Sequence, residues 1–197
     1  MRKSKKSAIG VFIGLVLAAA AIAAVVIGYR IAEIEIKRAT HPLMYSEYVE
    51  KYAEEYGMDK YVIYAAIKTE SGFDPNAVSS TGARGLMQLM ETSFDWVKFR
   101  LGDGEDVTFE DMFDPETNIR YGAYMLDYLN EYFGCTETAS AAYFSGVGTV
   151  SEWVKDPEIS SDGIHLDNIP SKNTAHYVNK IKNALDAYYE LYATERK

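Results

Sequence analysis

The chain has 197 residues and a formal net charge of −9, from 20 Lys+Arg against 29 Asp+Glu. That length holds one domain and an appendage, and the acidic balance excludes a general nucleic-acid binder, which needs cations to neutralise phosphates. One cysteine, Cys135, rules out an internal disulfide, and His41, His165 and His176 stand too far apart for a metal site, so neither metal nor other cofactor is expected.

Residues 8–29 are 22 positions without a charged side chain, preceded by Arg2, Lys3, Lys5 and Lys6 in a basic start over 1–7. About 20 apolar residues span a bilayer. The basic end stays in the cytoplasm under the positive-inside rule. The expectation is therefore a single-pass signal-anchor in the cell membrane, with everything from Arg30 onward extracytoplasmic. The alternative is a cleaved signal peptide and a secreted product. Signal peptides have apolar regions of roughly 7–15 residues, shorter than this one, but the alanines at 18–21, 23 and 24 offer a cleavage site.

Residues 30–44 read as a stalk: 30–40 continues the anchor helix, and His41-Pro42 breaks it. Tyr45, Tyr48, Tyr52 and Tyr56 recur at helical spacing up to Gly57. Asp59 then caps a helix through Tyr61, Val62, Ile63, Ala66 and Ile67 to Glu70. A turn-rich segment over 72–82 follows. Leu86, Met87, Leu89, Met90, Phe94 and Val97 suggest another helix, and 102–106 a loop. Asp114-Pro115 opens a long helix that runs to Gly134. Shorter helices are expected over 136–144 and 150–154, a loop over 156–170, a last helix over 174–192, and a tail over 193–197. No stretch alternates convincingly, so the fold class is all-α with minimal sheet. The domain proper is expected over 45–192.

Glu70 carries the first chemical question. It lies four residues after Ala66 and three after Ile67, on the apolar face of its helix. A carboxylate there is paired, reaches solvent, or is kept partly protonated by its surroundings. Spacing alone favours a surface glutamate in the last turn.

The wider pattern changes that reading. Glu70-Ser71, Gly82-Ala83, Gly85-Leu86-Met87-Gln88, Ala142-Tyr143 with Ser145-Gly146, and Tyr177-Val178 occur in one order. This order resembles the soluble lytic transglycosylase family, whose catalytic domain has a goose-type lysozyme-like helical fold. The likeness covers roughly 45–192. It implies a lysozyme-like transglycosylase domain on an N-terminal transmembrane helix, with peptidoglycan glycan strands as substrate and Glu70 as the catalytic acid.

The resemblance implies a single-carboxylate mechanism, whereas glycosidases usually use two. Glu70 would protonate the bond between N-acetylmuramic acid and N-acetylglucosamine while the muramic acetamido group assists. It would then act as base, drawing the muramic 6-hydroxyl onto the anomeric carbon to give a 1,6-anhydro end. An unperturbed glutamate is mostly ionised at neutral pH, so burial must raise its proton affinity. Beyond the first 30 residues, 15 basic residues face 29 acidic ones, a net −14. Such a surface repels anionic wall polymers at long range, so the substrate must be gripped locally. Nothing in the sequence sets an oligomeric state.

The resemblance also assigns supporting residues. Ser71 either orients the acid or caps its helix. Ser79 matches the serine before the Gly-Ala pair that lines the sugar site, and Gln88 a substrate-contacting glutamine at a helix start. Met87 matches an apolar sugar-contacting position. Tyr143 matches a tyrosine whose hydroxyl lies near the acid, and Tyr177 is cleft wall or core. Asp167 occupies a place where some relatives carry a second glutamate, whereas Asp74 reads as a turn residue. Three positions depart from the family pattern: Phe144 replaces an asparagine, Asn173-Thr174-Ala175 replaces Glu-Thr-Arg, and Glu91 replaces a proline. Two other functions remain open, a hydrolytic muramidase using the same site and a weakly active wall-binding scaffold protein.

Overall fold

The computed structural model describes residues 2–193, with side chains from residue 12 onward. The side chains of the basic start and residues 194–197 of the expected tail lie outside the described residues. The chain forms two compact units, Met1–Pro42 and Leu43–Lys197.

The first unit is one uninterrupted helix, α1 (Arg2–Thr40). Among the described residues it is the one helix long and apolar enough to cross a membrane. Its apolar side chains point outward all round, with Leu15, Val25 and Tyr29 each more than half exposed. A helix apolar on every face belongs in a nonpolar surrounding. Beyond Tyr29 the character changes, and Glu33 lies 3.6 Å from Arg30 and 3.7 Å from Lys37 one turn away. The helix runs through the expected stalk to Thr40, whose hydroxyl donates to the Ile36 and Lys37 carbonyls.

Among its described residues the second unit is helical, with two isolated β-bridges in place of a sheet. Its elements are α2 (Ser46–Glu55), α3 (Lys60–Glu70), α4 (Glu91–Leu101), a short 3-10 helix (Phe109–Phe113), α5 (Pro115–Phe133), α6 (Thr136–Ser145), α7 (Val147–Trp153) and α8 (Lys172–Tyr192). Helix α3 lies at the centre. Six of its 11 residues, Val62, Ile63, Tyr64, Ala65, Ala66 and Ile67, are buried, mainly against α8, with α2 and α5 alongside. Asp59 caps α3 by accepting the Tyr61 N–H at 2.8 Å. Asp114 caps α5 through the Thr117 N–H at 2.9 Å, Pro115 fills the first position, and Gly134 closes the helix left-handed. A second, smaller core of Leu89, Phe94, Val97, Met112 and Tyr121 joins α4, the 3-10 helix and α5.

One expected helix begins late. Residues 86–90 are irregular, and α4 starts only at Glu91. Gly85 and Gln88 both have left-handed φ, 75° and 48°, and Arg84 bridges to Val78 and Leu89. A Cβ at Gly85 would overlap the Met112 carbonyl oxygen and the Asn118 amide. The apolar spacing of 86–90 thus reflects a buried loop, because Leu86, Met87 and Leu89 are all inside. The periodicity does not predict the 3-10 helix.

Candidate active site

Glu70 is the last residue of α3. The chain leaves the helix through Gly72 and Phe73, both left-handed at φ 60° and 73°, and the buried Phe73 ring anchors the turn. This abrupt stop leaves the carboxyl at the edge of the core. Tyr177, from α8, donates its hydroxyl to Glu70 Oε1 at 2.7 Å. Burial pushes the carboxyl up to about 7, against the opposing pull of that hydroxyl and of the Lys180 cation. The Tyr177 phenol, itself buried and beside the carboxylate, is pushed well above its ordinary range.

The carboxyl opens into a cleft of about 290 Å³ lined by Phe144 at the end of α6 and by Asn173, His176, Tyr177 and Lys180 of α8. The α8 residues follow helical spacing, which places them on one face. Ser145 and Thr174 share a hydroxyl hydrogen bond of 2.7 Å, holding the start of α8 against the end of α6. Phe144 stacks on the Tyr177 ring, centroids 4.7 Å apart and planes 22° off parallel. Larger clefts exist, one of about 490 Å³ beside Met58, Asp59 and Tyr61. Chemistry rather than volume singles out the smaller one, because it holds the largely buried carboxyl.

The motif residues also brace a loop. Ser71 donates to the Leu86 carbonyl at 2.8 Å and accepts the Phe73 N–H at 3.1 Å, so it caps its helix and pins the loop to it. Tyr143 donates to the Met87 carbonyl at 2.7 Å. The hydroxyl on the acid is therefore that of Tyr177, not Tyr143, although the buried Tyr143 phenol senses the Glu70 charge. Met87 is fully buried and packs on Gly122, so its side chain is part of the core. Gln88 is in a left-handed turn, not at a helix start, and spends its amide donors on the Ala77 and Gly85 carbonyls at 3.0 and 2.9 Å. Ser79 accepts the Ala83 N–H at 3.0 Å and closes its own turn.

Asp167 lies apart from the cleft lining. It is exposed on the loop before α8 and accepts the Ser161 N–H at 2.7 Å. Asp74 accepts the Asn76 N–H at 2.9 Å, as a turn residue does. Three residues escaped the motif reading. Asn118 accepts the Met87 N–H at 2.8 Å and donates to the Arg84 and Met112 carbonyls at 3.1 and 2.8 Å. His176 and Lys180 share the face of Tyr177, and helical spacing from that residue would have found them.

A carboxyl at the end of a buried helix, opening on an aromatic and cationic cleft, is the candidate site of this mainly helical domain. The chain belongs to the transglycosylase SLT domain family, whose model matches residues 47–164. It is 32% identical over 158 residues to the soluble lytic murein transglycosylase of Escherichia coli (strain K12), over 79% of this chain but only 24% of that protein, about a quarter of its length. It is also 32% identical over 177 residues to the endo-type membrane-bound lytic murein transglycosylase A of Salmonella enteritidis, covering 79% of this chain and 86% of that one. Among solved structures, the 70 kDa soluble lytic transglycosylase of E. coli is similar at a TM-score of 0.70 and 25% identity, over 78% of this chain and 25% of that chain.

Proposed function

We propose that this chain is a peptidoglycan lytic transglycosylase with Glu70 as its single acid and base. The observation that carries the reading is the Glu70 carboxyl itself, largely buried, hydrogen-bonded to Tyr177 and titrating near 7. Such a group is about half protonated at neutral pH, so it can give a proton and later take one. In the first step the Glu70 proton passes to the glycosidic oxygen as the bond from that oxygen to the muramic anomeric carbon breaks. The substrate's own acetamido group supports the carbon. In the second step the Glu70 carboxylate removes the proton of the muramic 6-hydroxyl as that oxygen bonds to the same carbon. The acid is regenerated, no water is consumed, and a 1,6-anhydro end results.

Two further observations support a single-carboxylate site. Glu70 is the one carboxylate among the described residues lining the cleft, and Asn173 stands there in place of an acid. The relatives are named lytic murein transglycosylases. The apolar helix α1 and the membrane-bound relatives support a single-pass anchor with the second unit outside the membrane.

Mass spectrometry of digested cell wall tests the chemistry. Anhydromuramic ends are expected, and Glu70→Gln should yield neither product. Reducing ends, heavier by one water, would assign the site to a muramidase. Unimpaired cleavage by Glu70→Gln would remove the acid assignment altogether.

A further inference from the structure

Phe144 is where the family resemblance leads one to expect an asparagine. An asparagine would offer donors and an acceptor to a sugar hydroxyl or acetamido group. A phenylalanine offers none, yet the residue is 48% exposed at the cleft that holds Glu70. One part of the ring is accounted for by its stack on Tyr177, the residue whose hydroxyl holds the acid. Stacking leaves the remainder of the ring open to the cleft. A lone exposed phenylalanine needs no explanation on an ordinary surface. Here it lies one residue away from Glu70, through Tyr177, and lines the same cavity.

We infer that Phe144 is a substrate-binding platform on which the C–H face of a pyranose ring stacks, in place of the hydrogen bond an asparagine would make. This rests on the proposed reading of the cleft as a glycan site. The aromatic face is electron-rich and the axial C–H groups of a pyranose are weakly positive, so the two are complementary. The surroundings suit that division of labour. Asn173 and His176 supply polar groups to the same cleft, and Lys180 supplies a cation. Sites of this kind combine apolar or aromatic walls with a few placed polar groups. The departure at 144 thus changes the mode of sugar recognition and does not mark a decayed site.

The test uses the full chain in detergent with two readouts. Binding of a chitin-type oligosaccharide is measured by calorimetry in the Glu70→Gln background, and KM and kcat are measured on isolated wall with Glu70 intact. Phe144→Leu keeps an apolar side chain against Tyr177 but loses the aromatic face. It should weaken oligosaccharide binding by roughly three- to ten-fold, with the loss falling on KM. Phe144→Trp should restore binding, and Phe144→Asn only in part, through the hydrogen bond that an asparagine offers. The alkaline limb of the pH profile should stay in place for all three. Equal losses in Phe144→Leu and Phe144→Trp, unaltered binding in Phe144→Leu, or no oligosaccharide binding by the parent would each overturn the inference. So would a moved pH limb, since Phe144 would then act through Tyr177 on the acid. Glu70→Gln separates the two levels. If it abolishes cleavage while Phe144→Leu binds normally, only the stacking role fails; if it still cleaves wall, the function reading fails first.

Discussion

Replacing Glu70 by glutamine should stabilise the protein, and should do so increasingly as the pH rises. The folded carboxyl titrates near 7 against its ordinary 4.5, chiefly because burial disfavours the charged form. The folded state therefore binds a proton more tightly than the unfolded chain. Stability is fullest below about 4.5, falls as pH rises from there to about 7, and is flat above. At ~1.4 kcal/mol per tenfold change in proton affinity, the loss at pH 8 is about 3 kcal/mol. That figure is an upper value, because solvent reaching the cleft screens the charge. Glutamine cannot ionise, and its carbonyl oxygen can still accept the Tyr177 hydroxyl. The variant should therefore gain little at about pH 5 and most of the 3 kcal/mol at about pH 8. For a domain of this size that is roughly 5–10 °C in the unfolding midpoint. Thermal unfolding of the full chain in detergent, for both proteins at both pH values, measures it. A gap between them that is the same at the two pH values would refute the argument that burial holds the proton on Glu70.

The two site tyrosines should respond differently to loss of a hydroxyl. Tyr177→Phe removes a donor that favours the ionised carboxylate, so the alkaline limb of the activity profile should move to higher pH as turnover falls; movement to lower pH would contradict the assignment. Tyr143→Phe leaves the Met87 carbonyl without its donor, so it should cost ~1–3 kcal/mol of stability while the pH limb stays in place, which melting and pH-rate curves together report. For the topology, protease added to intact, wall-stripped cells should remove the second unit and leave a small membrane stub; release into the medium of a fragment beginning near Ala24 would indicate signal cleavage instead.

Much of the fold could be read from local signals. Asp59, Asp114-Pro115 and Gly134 mark helix ends through chemistry that acts within one turn, and the structure uses each of them in that way. Glu70 could be placed at a helix end because Gly72 follows and the apolar face precedes it. The loop over 84–89 could not be read in the same way. Its apolar residues satisfy a helical spacing by coincidence of burial, and only the left-handed Gly85 and Gln88 and the distant Asn118 decide against a helix. The motifs bring Ser71, Met87, Gln88 and Tyr143 together, but they do not encode the hydrogen bonds by which these residues brace the loop. Which partner a polar side chain meets depends on packing between residues as far apart as Tyr143 and Met87, and no local pattern encodes that. For the same reason local pattern does not separate cleft wall from core at Tyr177; the packing of α8 on α3 does.

The braced loop has a consequence for how the protein opens. In a helix or sheet, backbone amides share a ladder, and one substituted side chain leaves the ladder standing. Around residues 85–88 the backbone groups have individual side-chain keepers: Asn118 for the Met87 N–H, Ser71 for the Leu86 carbonyl, Tyr143 for that of Met87, and Gln88 for that of Gly85. These keepers come from the end of α3, from α5 and from α6 as well as from the loop itself. The loop can therefore loosen only if contacts to several helices are given up together, and its amide hydrogens should exchange with solvent on the slow timescale of the domain core. A segment without regular secondary structure would then be among the last of the described parts to open, and the end of α3 that carries Glu70 would keep a stationary neighbour.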